Sequence, residues 1–214
     1  MTTVVIPARG GSKRIPEKNL ADLNGRPLIS YAIESSLKVT DEVYVSTDCP
    51  KIEKTCIAYG AKVIRRPAEI STDFCKTNSA IEHFLTEVGD VDVFACVQAT
   101  TPLMEWRYLK EGFDKVSSGK FDSIISVCES KKFYWTADGK PINFSIQDRL
   151  RTQDMEKRYA ENGSFYITTK KGFFSNQSLM GGKVGFVVTP DIVSVEIDDP
   201  QDLRLVSAIH RACK

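Results

Sequence analysis

The stretch Ala8-Arg9-Gly10-Gly11-Ser12-Lys13-Arg14-Ile15-Pro16-Glu17-Lys18-Asn19 sets four cations among small residues, directly after a β-rich run. Adjacent glycines let the backbone approach a ligand and turn its N–H groups inward, which builds an anion-binding nest. The cations then neutralise phosphate oxygens, so the loop reads as a polyphosphate site. It is not a P-loop, which would end in Gly-Lys-Ser/Thr, and it lacks the Gly-x-Gly-x-x-Gly of dinucleotide-binding folds. A second feature lies far along the chain, in Ser194 to Asp198. If this run is a strand, alternation puts Glu196 and Asp198 on one face, where two carboxylates can hold a hard cation.

Something must place these groups. Short β-rich runs recur at Thr3 to Pro7, Glu42 to Ser46, Ala61 to Arg65, Val91 to Val97 and Ser123 to Val127. Between them lie segments of helical spacing, such as Leu28, Tyr31, Ala32 and Leu37, or Ile81, Phe84, Leu85 and Val88. Strand and helix in alternation predict an α/β fold, a mostly parallel sheet covered by helices on both faces. In such sheets the ligand lies at the carboxyl ends of the strands, which is where the loop from Pro7 to Asn19 falls. The pattern breaks from Phe133 to Ala160, where three aromatics precede a charge-dense run. This segment reads as an inserted arm that packs on a partner subunit, since aromatics and Arg are enriched at interfaces. Strand-like runs resume at Ser164 to Thr168, Lys183 to Thr189 and Ser194 to Ile197, and Pro200 starts a final helix.

Composition excludes several classes. The 214 residues carry 29 Lys and Arg against 28 Asp and Glu, so no global field exists to hold nucleic acid or an anionic membrane. Any anion site must be local. No run approaches the roughly 20 apolar residues of a membrane span, and the start shows no basic segment followed by an apolar stretch. Residues 1–214 are expected to form one domain with residues 133–160 as its arm, located in the cytoplasm. The cysteines (Cys49, Cys56, Cys75, Cys96, Cys128 and Cys213) have no paired short spacing, which argues for reduced thiols rather than a zinc knuckle or redox pair. His83 and His210 both lie in segments that read as helical and are not expected to touch substrate.

The segment Ile6 to Leu20, IPARGGSKRIPEKNL, resembles the N-terminal signature of the acylneuraminate cytidylyltransferases, the CMP-sialic acid synthetases. Further matches run down the chain: Val45-Ser46-Thr47-Asp48, Arg66-Pro67-Ala68-Glu69, Gln98-Ala99-Thr100-Thr101-Pro102, Tyr159-Ala160-Glu161-Asn162-Gly163-Ser164-Phe165-Tyr166 and Glu196-Ile197-Asp198-Asp199-Pro200. The resemblance implies a Rossmann-like fold of the nucleotide-diphospho-sugar transferase type with a small dimerisation insertion. It implies that Arg9, Ser12, Lys13 and Lys18 contact the triphosphate of CTP, with Gly10 also among the nucleotide-binding residues. By the same resemblance Ala8, Asn19, Asp48, Arg66 and Thr77 contact the base and ribose, and Gln98, Arg151, Asn162 and Tyr166 the sugar, with Arg151 on its carboxylate. An Arg fork fits a carboxylate bidentately, which a Lys cannot do.

The implied reaction is attack by the anomeric hydroxyl of an acidic nine-carbon sugar on the α-phosphorus of CTP, with pyrophosphate leaving. Arg9, Lys13, Lys18 and Asp198 are the expected catalytic groups, and Asp198 with Glu196 the expected ligands of Mg²⁺ or Mn²⁺. Position 196 departs from the family, which normally has Asp there. The chain is expected to work as a homodimer. Other acidic sugars (Kdn, legionaminic acid, Kdo) and a nucleotide-binding protein without turnover stand as alternatives. The sequence names no general base: a metal-bound hydroxide or water, or Gln98 orienting the hydroxyl, are both open.

Overall fold

The computed structural model describes residues 2–213. Seven strands form one sheet in the order β3-β2-β1-β4-β6-β5-β7: β1 (Thr2–Pro7), β2 (Val43–Thr47), β3 (Lys62–Arg65), β4 (Val93–Val97), β5 (Ser123–Glu129), β6 (Tyr159–Thr169) and β7 (Val184–Val188). β1 runs parallel to β2 and β4, β2 to β3, and β5 to β7, while β6 is antiparallel to both β4 and β5. The sheet is therefore mostly parallel.

Alternation along the strands explains its two covered faces. Val4 and Ile6 of β1 pack with α1 (Leu28–Leu37), α2 (Pro50–Ala58) and α4 (Trp106–Ser117) through Ile29, Ile33, Ile52 and Phe113. Val5, pointing the other way, joins Phe84 of α3 (Thr77–Val88) and Phe173 of α5 (Lys170–Asn176). Successive side chains on opposite faces, both apolar, are what a doubly covered strand demands. The strand order reverses between β1 and β4, because β1 connects through α1 to β2 on one side and has β4 on the other. Such a switch point opens a crevice at the carboxyl ends of the two strands.

α6 (Pro200–Ala212) begins at Pro200 as expected, capped by Asp199, whose side chain accepts from the N–H groups of Gln201 and Asp202. The expected strand at Ser194 to Ile197 is absent. Asp191–Ser194 form a 3₁₀ turn instead, and the residues after it run extended without a ladder partner. Ile197 still donates its N–H to Thr100 O at 2.8 Å and is buried beside Ile15, Leu28 and Val206. The strand-like apolar alternation thus reflects burial in this third cluster, not pairing. β6 also starts five residues before the expected Ser164, and the arm accordingly ends at Arg158, where Ser130 N–H bonds Arg158 O at 2.8 Å. Within the arm Phe144 packs edge-on against Phe133 and Trp135, and the Arg149 guanidinium lies over the Phe133 ring, 4.1 Å from its centroid.

Candidate functional site

The loop after β1 is fastened at several points. Ala8 is buried and donates its N–H to Ser46 O on β2 at 2.9 Å. Gly10 donates to Asp48 Oδ1 at 2.9 Å, and a Cβ at this position would stand 2.9 Å from Cys49 Cβ. Only glycine lets the loop pass the start of α2 so closely. Further on, the Asn19 amide donates to Arg9 O at 3.1 Å, tying the two ends of the loop together. Asp48 and Asn19 thereby shape the loop's backbone.

All four loop cations end at carboxylates. Arg14 Nη2 and Lys18 Nζ reach Asp198 Oδ1 at 2.9 and 3.3 Å, and Lys18, only 15% exposed, also donates to Ile197 O at 2.9 Å. Arg9 Nη1 meets Asp73 Oδ1 at 2.6 Å and Lys13 Nζ meets Asp73 Oδ2 at 2.5 Å. Arg9, Lys13, Arg14, Lys18 and Asp73, with Ser12, Asn19 and Thr100 from the loop after β4, line a cleft of about 470 Å³. The cleft thus lies at the switch point between β1 and β4. A second cavity of about 280 Å³ shares Pro7, Arg9 and Asp73 with the first and is lined further by Arg66, Cys75 and Thr77. The two cavities therefore adjoin across Arg9 and Asp73.

Arg66 is held at the second cavity by Ser46: its Nη2 donates to Ser46 O at 2.7 Å and its Nε to Ser46 Oγ at 3.1 Å. Burial pushes its pKa down from the ordinary arginine range, opposed by the Asp48 carboxylate. Thr77 is the first residue of α3 and opens onto the same cavity.

The expected sugar residues are only partly brought together. β6 pairs with β4 so that Tyr166 stands opposite Cys96, with Gln98 two residues beyond. Gln98 Nε2 donates to Cys96 Sγ at 3.6 Å, and burial pushes the Cys96 thiol up to about 12. Tyr166 is half-buried and donates its hydroxyl to Glu161, and burial followed by this carboxylate pushes the phenol's pKa up. Gln98 and Tyr166 therefore share a neighbourhood. Asn162 does not present an open amide: it is buried, its Nδ2 donates to Thr189 Oγ1 and Ser194 Oγ, both at 2.8 Å, and its Oδ1 accepts from Ser164 N–H. It braces the 189–198 segment against β6. Arg151 lies in the arm, 76% exposed, in an ion pair with Asp154 at 2.6 Å, and it lines neither cavity.

Glu196 and Asp198 both sit at the site, without a strand beneath them. Glu196 Oε1 accepts from Thr100 Oγ1 at 3.0 Å, and its Oε2 faces Gly163, whose φ of +68° favours glycine. Among the described residues no three His, Cys, Asp or Glu converge as a metal cage. Asp198 bonds Arg14 and Lys18, and Glu196 bonds Thr100, all three lining the cleft, and two such carboxylates suit a cation of the Mg²⁺ type, which keeps several waters in its shell. Asp73, Arg14, Thr100 and Glu161 were not singled out from sequence for the site. Arg14 was visible as one of the loop's cations, and Thr100 and Glu161 lay within matched segments; nothing in the local pattern marked Asp73.

A family model described as cytidylyltransferase matches residues 3–180. An N-acylneuraminate cytidylyltransferase B from Danio rerio is 35% identical over 202 residues, covering 91% of this chain and 48% of that protein. A pseudaminic acid cytidylyltransferase from Campylobacter jejuni subsp. jejuni is 30% identical over 220 residues, covering 97% of this chain and 95% of that one. The chain spans about half the length of the N-acylneuraminate cytidylyltransferases it matches. In three dimensions it is similar to a CMP:2-keto-3-deoxy-manno-octonic acid synthetase complexed with CTP, with a TM-score of 0.75, 20% identity and coverage of 100% and 99% of the two chains.

Proposed function

The chain belongs to the cytidylyltransferase family, and from that premise we propose that it transfers CMP from CTP to the anomeric hydroxyl of a nonulosonic acid of the sialic type, releasing pyrophosphate. One observation carries the reading: the cleft at the β1/β4 switch point gathers Arg9, Lys13, Arg14 and Lys18 at one end and Arg66 with Thr77 at the other. A triphosphate suits the first end and a nucleoside the second.

In the reaction the anomeric oxygen forms a bond to the α-phosphorus while the bond from that phosphorus to the bridging β-phosphate oxygen breaks, and the hydroxyl proton is released to water. A protein contributes to such a transfer chiefly by positioning and by neutralising charge. Arg9, Lys13 and Lys18 hold the β- and γ-phosphates, so the negative charge on departing pyrophosphate grows beside fixed cations. Asn19 and Asp48 keep the loop in shape, and Gln98 and Tyr166 orient the sugar hydroxyls. Mg²⁺ or Mn²⁺ at Asp198, with Glu196 through a bound water, would supply charge neutralisation at the phosphate oxygens.

The arm of residues 133–158, with its exposed Trp135, Ile142, Ile146 and Leu150, supports a homodimer in which Arg151 reaches the partner's sugar site. Six free thiols fit the reducing conditions of the cytoplasm, and no described helix is long and apolar enough to cross a membrane. The test is incubation with CTP, Mg²⁺ and a panel of nonulosonic acids, with products identified by mass. A CMP-sugar with matching pyrophosphate is expected. CTP binding without any product on the whole panel would overturn the reading.

A further inference from the structure

Asp73 stands in the loop 71–76, between the 3₁₀ turn Ala68–Ile70 and α3. Nothing in the transfer reaction as described requires a carboxylate there. Yet each of its oxygens is taken by a different phosphate-loop cation, Oδ1 by Arg9 at 2.6 Å and Oδ2 by Lys13 at 2.5 Å. A carboxylate bridging two cations in this way reproduces what a phosphate group would offer them. Asp73 also lines both cavities, so its side chain occupies the junction that a bound nucleotide must cross.

We propose that Asp73 is an internal anion latch: it closes on Arg9 and Lys13 when the phosphate cleft is empty, yields them to the incoming triphosphate, and returns to help expel pyrophosphate. The proposal rests on reading this cleft as the triphosphate site. Three features make the exchange workable. Lys13 is 76% exposed, and ion pairs in contact with water are weak enough to be replaced by a more highly charged anion. The next residue, Phe74, is 94% exposed, so swinging the loop uncovers no large apolar side chain there. And the Lys13 ammonium, with Arg9, holds the Asp73 carboxyl below the usual carboxylate range, so the competing charge is always present at neutral pH.

A latch lowers apparent affinity by the fraction of time it leaves the site open, so one closed about nine-tenths of the time weakens anion binding about tenfold. The test is calorimetric titration of the full chain with inorganic pyrophosphate at fixed ionic strength. Three variants are compared with the unaltered protein: Asp73→Asn, Asp73→Ser and Glu69→Gln, the last removing one charge from the neighbouring turn. Both Asp73 variants should bind pyrophosphate roughly tenfold tighter, whereas Glu69→Gln should shift affinity by about twofold at most, the size of a screened surface charge. Pyrophosphate affinity in both Asp73 variants equal to that of Glu69→Gln, or weaker, overturns the latch while leaving the transferase reading standing. Failure of every protein to bind either pyrophosphate or CTP overturns both.

Discussion

Replacing Asp198 by Asn separates two roles that the geometry gives this carboxylate. Its Oδ1 accepts from Arg14 at 2.9 Å and from Lys18 at 3.3 Å, and the same carboxylate is the proposed principal ligand for Mg²⁺. Suppose first that it only anchors the two cations. Asp198 is 40% exposed, Arg14 65% and Lys18 15%; since the shared carboxylate touches water in both pairs, each is worth about 1 kcal/mol. Losing both would then cost roughly 2 kcal/mol, about thirtyfold in kcat/KM, with the Mg²⁺ activation constant unmoved. Loss of a ligand is different: turnover should fall by more than about a hundredfold, and the Mg²⁺ concentration giving half-maximal rate should rise by about tenfold or more, since even supporting groups around a metal contribute ~10–100-fold. The assay is pyrophosphate release at saturating CTP and sugar across a Mg²⁺ series, in Asp198→Asn and in Glu196→Gln. The second variant should be milder, because Glu196 already accepts from Thr100 and would act through a metal-bound water. Near-normal rate in Asp198→Asn at limiting Mg²⁺ would refute the assignment of the metal to this residue.

Gly10→Ala places a methyl group 2.9 Å from Cys49 Cβ, so the loop must shift, and we expect a loss of stability of about 1–3 kcal/mol together with a raised KM for CTP, read by thermal melting and initial rates. Arg151→Lys keeps the charge and loses the fork, and should raise the KM for the sugar by about one to two decades with the KM for CTP unchanged, at ~1.5–3 kcal/mol for a charge-assisted bond; an unchanged sugar KM would leave Arg151 as the partner of Asp154 alone. Burial pushes the thiols of Cys56 and Cys96 up to about 12 from 9.0. The folded chain then binds more protons than the unfolded one between those values, so stability is full below pH 9 and declines as pH rises toward 12. Melting temperature should therefore fall less steeply over that interval in a Cys56→Ala, Cys96→Ala variant than in the unaltered protein, and equal slopes would contradict it.

The loop after β1 was legible as a feature because its signal is local: a buried strand, two glycines and four cations all lie within one short segment. The layered sheet was legible for a similar reason, since Val4, Val5 and Ile6 must be apolar on both faces of β1. Glu161, Asn162 and Gly163 hid the true start of β6. Their polar character resembles a loop, but a shift of register between Ile125 and Val127 keeps Glu161 paired with Val127 and lets Gly163 adopt a positive φ. Conversely, Val195 and Ile197 suggested a strand because they are apolar and alternate, and only the third core cluster shows why Ile197 is buried and Val195 half-buried without pairing. Asn162 matched a sugar-site motif by sequence, while its amide is held by Thr189 and Ser194, contacts that no local pattern announces. The same holds for Asp73, an unremarkable acid in a polar loop until the fold brings it to Arg9 and Lys13.

The central claim is that a sugar hydroxyl attacks the α-phosphorus of CTP in the cleft between the ends of β1 and β4. The most direct measurement uses a nonulosonic acid carrying a heavy-oxygen label at its anomeric hydroxyl, with CTP and Mg²⁺, and follows the label by mass and by phosphorus NMR. The account predicts that the label stays in the bridge between sugar and CMP and that the pyrophosphate released is unlabelled. Label recovered in pyrophosphate, or a sugar carrying the γ-phosphate with CDP as the other product, would contradict it.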